Sequence, residues 1–149
     1  MVTNILVGVD GSKPSLDAAR YAMGLAGQTK AKLTFLFVIE TPQVLPFGPM
    51  SGYVTTAPSR SEEDVKKAEA IVEELARERP GLHITTRVEL GSPEELLVDL
   101  AGKLGADLLV VGARGHNAAQ RLFLGSVSDR VMHHATVPVL VVRPSPTSA

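Results

Sequence analysis

The stretch "VVGARGHNAAQRLFLGSVSDRV" places Gly112, Gly115 and Gly125 in the pattern G-x2-G-x9-G, with Ser126 directly after the last glycine. That is the chemistry of an anion cradle. Glycine permits positive φ and a close approach of backbone to ligand, and the first N–H groups of a helix, with its positive dipole end, attract phosphate. Ser126 adds a hydroxyl, and Arg114 brings a guanidinium fork suited to phosphate oxygens. Each glycine alone also reads as an ordinary strand end or helix entry. Their joint spacing is what points to a phosphate.

A second group lies near the start, where Asp10, Gly11 and Ser12 follow the apolar run "NILVGV". Asp10 offers a carboxylate to a sugar hydroxyl, and Asp-Gly is equally an ordinary turn, with Ser12 and Pro14 starting a helix. "GVDGSK" is not a Walker A loop: four residues must separate Gly from Gly-Lys, and Lys13 is followed by Pro14. The histidines do not form a metal site. His133 and His134 are adjacent and point about 100° apart on a helix. His116 reads as an exposed loop residue and His83 as a solvated one at a strand start. No nucleophile elbow or carboxylate pair with an acid/base partner stands out, so no catalytic residue is assigned and efficient catalysis is not expected. A magnesium ion riding on a bound triphosphate would find Asp10 as its nearest carboxylate candidate, though magnesium often relies on ligand oxygens and water.

These residues need a frame. Strands are predicted at 4–9, 31–39, 83–90, 106–113 and 137–144, each a short apolar or alternating run. Between them, helical spacing runs from Ser15 to an exit at Gly27, from Ser61 to Arg79, through "SPEELLVDLAGKLG", and from Gly125 or Ser126 through His134. Ser92, Pro93 and Glu95 have the order of a reciprocal capping box. Strand-helix alternation calls for a single-domain, open, twisted sheet of five parallel strands with helices on both faces. In such sheets ligands sit beyond the carboxyl ends of the strands, where the winding reverses. Asp10, Ile39, Glu40, Gly91 and Gly112 all fall at those ends. Residues 40–59 hold Pro42, Pro46, Pro49 and Pro58 and read as a long loop that acts as a lid or is partly disordered.

Composition narrows the field. The 149 residues carry a formal net charge of -1, which gives no general attraction for nucleic acid or an anionic membrane. The chain has no cysteine, which excludes disulfides and thiolate chemistry and fits a reducing, cytoplasmic setting. No secretory signal or membrane-length apolar run is apparent. Residues 1–144 read as one domain and 145–149 as a flexible tail.

The glycine motif, together with "ILVGVDGS" and "VPVLVVRP", resembles the ATP-binding, G-x2-G-x9-G-(S/T) subgroup of the universal stress protein family. The resemblance covers nearly the whole chain. It implies a Rossmann-like, adenine nucleotide alpha hydrolase-like fold with strand order 3-2-1-4-5, and ATP as the ligand. Within it, Asp10 meets the ribose and the Val38 backbone meets adenine. Gly112, Arg114 and Gly115 wrap the phosphates, and Gly125, Ser126, Val127 and Ser128 supply donors from a helix N-terminus. It also implies a homodimer, and the apolar, lightly charged edge strand "VPVLVV" invites pairing of that kind. The function expected is a nucleotide-dependent regulator in stress response with at most slow hydrolysis. A slow ATPase or phosphotransferase, and an interaction module with a vestigial pocket, are the alternatives.

Overall fold

Along β1 (Asn4–Val9), side chains alternate between two buried layers, and this alternation organises the molecule. The computed structural model describes residues 1–41, 62–113 and 125–144. Ile5, Val7 and Val9 face α1 (Lys13–Thr29) and α2 (Glu62–Arg77), whose Ala18, Ala19, Ala22, Met23, Val72 and Leu75 complete that layer. Leu6 faces the other way, toward Leu97 and Leu100 of α3 (Pro93–Lys103) and Val131 of α4 (Ser126–His134). Full burial of each Val, Leu or Ile contributes about 1.5–3 kcal/mol before entropy is set against it. Gly8 leaves room between the layers, since a Cβ there would lie 3.0 Å from a Leu97 methyl.

The remaining strands are β2 (Lys32–Glu40), β3 (Ile84–Gly91), β4 (Leu108–Gly112) and β5 (Val139–Val142). They form a parallel sheet, as the strand-helix alternation predicts, in the order β3-β2-β1-β4-β5 that the family resemblance implies. At its amino edge one carboxylate joins β1 to the entry of β4. Asp107 Oδ2 accepts from Thr3 N–H at 2.9 Å, the Thr3 hydroxyl at 2.7 Å and Asn4 N–H at 3.0 Å. These bonds hold its carboxyl below the usual carboxylate range.

Helix ends and one cap differ from the sequence prediction, the second helix ending at Arg77 rather than Arg79. The first helix does not leave at Gly27 but continues to Thr29, and Lys30 takes the left-handed cap at φ 59. Ser92 does stand at the N-cap of α3, yet its side chain makes no capping bond. Its hydroxyl instead serves the Glu94 carboxylate. The expected loop at 40–59 and tail at 145–149 fall, but for residues 40 and 41, outside the described residues.

Candidate functional site

The winding reverses between β1 and β4, which pair directly with Val7 opposite Val110. Two residues further on, Val9 and Gly112 end their strands side by side, which makes the crevice beyond them the expected ligand position. β2 projects past β1 there. Its pairing with β1 stops at Val9–Phe37, whereas its pairing with β3 runs on to Glu40–Gly91. Val38 therefore lies on the stretch of β2 that passes the end of β1, with its side chain buried and its backbone at the rim. It sits two residues before the strand's end.

Asp10 is held by the turn that follows β1. Gly11 takes φ +82, a conformation that side chains rarely adopt, and so returns the chain into α1. Ser12 N–H donates to Asp10 Oδ1 at 2.9 Å and the Ser12 hydroxyl donates to the same oxygen at 2.5 Å. The Ser15 hydroxyl accepts from Asp10 N–H at 3.1 Å and donates to the Ser12 carbonyl at 3.0 Å. Ser12 also caps α1, accepting from Ser15 N–H at 3.4 Å. Ser12 is thus both a helix start and a clamp on Asp10.

Gly112 is required for space. Its φ is not positive, but a Cβ there would lie 2.8 Å from the Pro14 carbonyl oxygen and 3.1 Å from Ser15 N. The end of β4 therefore lies directly against the first turn of α1, and the two predicted phosphate and sugar elements meet. The Ser128 hydroxyl donates to the Gly112 carbonyl at 2.5 Å and latches α4 to β4. Gly125 N–H donates to Ala113 O at 2.7 Å, and Ala113 N–H to Val142 O at 2.9 Å. Both ends of the segment between 113 and 125 are thereby pinned to the carboxyl edge of the sheet.

Gly125 is the N-cap of α4, at φ -62 and ψ 157, and brings no side chain to the helix's first N–H groups. Ser126 is exposed there, Val127 packs on the α3 side and Ser128 is buried. This is an arrangement able to receive an anion. Arg130, one turn into α4, pairs with Glu94 of α3 at 2.6 Å. Burial opposes ionisation of Glu94, but its own backbone N–H, Arg130 and the Ser92 hydroxyl outweigh that and hold its pKa low. Arg114 and Gly115, assigned to the phosphates by resemblance, and His116 lie outside the described residues.

The structure brings together Asp10, Gly112, Gly125, Ser126, Val127 and Ser128, with Val38 on the neighbouring strand. Sequence reasoning missed the bond from Asp10 N–H to Ser15, for which the signal was the pair of serines at 12 and 15 around Pro14. Among the described residues, no group of three or more His, Cys, Asp or Glu gathers to hold a metal ion. His133 Nδ1 lies 2.7 Å from the Asp129 carbonyl oxygen.

Comparison with known proteins agrees with this fold. The model of the universal stress protein family matches residues 1–143. A universal stress protein of Staphylococcus haemolyticus is 34% identical over 141 residues, covering 94% of this chain and 84% of that protein. The solved structure of universal stress protein UspA from Lactobacillus plantarum has a TM-score of 0.72 at 27% identity, covering 95% of this chain and 98% of its own. A universal stress protein crystallised in complex with cAMP has a TM-score of 0.71 at 28% identity, covering 97% of this chain and 98% of its own.

Proposed function

We propose, from the premise that this chain belongs to the universal stress protein family, that the crevice beyond β1 and β4 binds an adenine nucleotide, with ATP as the working ligand. The protein then acts as a cytoplasmic, nucleotide-dependent regulator in stress response. The observation that carries this reading is the meeting of three features at one point: the clamped Asp10 turn, the close approach of Gly112 to α1, and a helix start with no side-chain cap. The cAMP complex of a relative at 28% identity supports an adenine ligand. The intact G-x2-G-x9-G-S spacing supports a polyphosphate in particular, because it supplies backbone donors on both sides of the loop.

In this reading the Val38 backbone borders the adenine and Asp10 accepts from the ribose. Gly112, Arg114 and Gly115 follow the phosphates, and the N–H groups of Ser126, Val127 and Ser128 meet their terminal oxygens. Magnesium, where it accompanies ATP, is carried mainly by phosphate oxygens and water, with Asp10 the carboxylate at hand. The nucleotide serves as a bound signal, with hydrolysis slow at most. The reading is tested by soaking freshly purified protein with ATP and identifying the retained small molecule by mass spectrometry. Phosphate release that survives extensive purification and is lost in Asp10→Ala would favour the slow ATPase instead.

The edge of the sheet favours a second element of the reading, a homodimer. All four residues of β5 remain partly exposed although all are Val or Leu, which leaves an apolar edge strand available to a second copy. Sedimentation velocity is expected to give a dimer for the unmodified chain and a monomer for Val141→Glu.

A further inference from the structure

We infer that Ser12 is a positioning residue that sets the direction of the Asp10 carboxylate, and through it the protein's discrimination between ribose and deoxyribose nucleotides. The inference rests on the adenine-nucleotide reading of the crevice and specifies one part of it.

The argument follows from which groups can donate. Asp10 Oδ1 and the Ser12 carbonyl oxygen accept from the Ser12 and Ser15 hydroxyls, so the protons of both hydroxyls have defined destinations. The Ser12 proton goes to Asp10 Oδ1 and the Ser15 proton to the Ser12 carbonyl. The Ser12 hydroxyl then accepts from Ser15 N–H, and the Ser15 hydroxyl accepts from Asp10 N–H. With Ser12 N–H also on Oδ1, the result is a closed ring of bonds that ties one carboxylate oxygen to the start of α1. Ser12 is 8% exposed and Ser15 is 4% exposed, so neither hydroxyl turns readily to water.

Two donors on one oxygen fix the plane of the carboxyl group and hence the direction in which Oδ2 points. A carboxylate free to rotate would meet a ribose hydroxyl only after losing torsional freedom, whereas a held one has already lost it. The turn is further constrained by Gly11 at φ +82 and by the contact of the α1 start with Gly112. Ser12 therefore acts on the ligand through Asp10 and touches no part of it.

The experiment measures the Kd values of ATP, 2′-deoxy-ATP and 3′-deoxy-ATP by isothermal titration for the unmodified protein and for Ser12→Ala, Ser12→Gly and Ser12→Thr. A hydrogen bond to a charged group predicts about a tenfold preference of the unmodified protein for ATP over at least one deoxy analogue. That ratio is expected to fall to about one in Ser12→Ala and to recover in Ser12→Thr, which keeps the hydroxyl. Ser12→Gly keeps most of the capping, since glycine is a tolerated N-cap residue. It keeps the test available if Ser12→Ala does not fold, and its ratio should also fall to about one. General damage to the fold would weaken all three ligands alike and leave the ratio unchanged. Unchanged ratios in a folded Ser12→Gly or Ser12→Ala protein, with ATP still bound, overturn the positioning role alone. Failure of the unmodified protein to bind any of the three nucleotides overturns the underlying reading, and the inference with it.

Discussion

Gly112 shows how a motif glycine can serve the protein's own packing as much as its ligand. The sequence suggests backbone freedom at the glycines of the loop, yet among its described glycines neither Gly112 nor Gly125 has a positive φ, which Gly11 does have, and Gly112 is needed because Pro14 lies against it. A Gly112→Ala methyl would meet backbone, which cannot swing aside as a side-chain tip can, so we expect a loss of about 1–3 kcal/mol in urea unfolding together with weakened nucleotide binding. Ser128 has a comparable double duty. Removing its hydroxyl in Ser128→Ala takes away the donor to the Gly112 carbonyl, and a cost of about 1–2 kcal/mol in the same unfolding measurement is expected. Spacing identified Gly112, and the family resemblance identified Ser128. It did not reveal what each touches, because the contact between β4 and α1 joins residues about a hundred positions apart.

At the scale of elements, the strands were legible because each is a short apolar run bounded by turn residues, as with "NILVGV", which forms β1 over the very residues expected. Helix ends were less so. Gly27 has the chemistry of an exit, but the helix runs on to Thr29, whose hydroxyl donates to the Leu25 carbonyl at 3.0 Å, before Lys30 takes the left-handed cap. Ser92 has the order of a capping residue, but its hydroxyl serves Glu94, which also pairs with Arg130 of α4. The Glu94–Arg130 pair itself, which joins α3 to the helix bearing the proposed anion site, has no sequence signature. Its guanidinium side chain is largely exposed, so Arg130→Ala should change stability by no more than about 1 kcal/mol. A larger loss in thermal unfolding would mean that the pair is a principal support of α4.

Over the whole molecule, acid sensitivity should be set by carboxylates that the fold keeps ionised. Glu78, hydrogen-bonded to Arg20 across α1 and α2, Glu94 on α3 and Asp107 at the amino edge all have lowered pKa values. A lowered folded pKa means that the folded state releases the proton more readily than the unfolded chain. The stability from these groups is therefore complete above about pH 5 and is lost as pH falls below about 4, through the folded values. Urea midpoints measured against pH should show this fall, with a shallower slope in Asp107→Asn. The parallel sheet with helices on both faces follows from strand-helix alternation and its order from the family resemblance, whereas the proposed dimer contact depends on a second copy that the sequence of one chain does not describe. The most direct test of the nucleotide reading is equilibrium dialysis of ATP against the unmodified protein and Gly125→Asp. At φ -62 the N-cap of α4 accepts Asp without backbone strain, and Asp is a favoured N-cap, so this change keeps the helix while placing a carboxylate where phosphate would sit. The account predicts saturable ATP binding by the unmodified protein and its loss in Gly125→Asp with an unchanged circular dichroism spectrum. Absence of bound adenine nucleotide at millimolar concentration in the unmodified protein would contradict it.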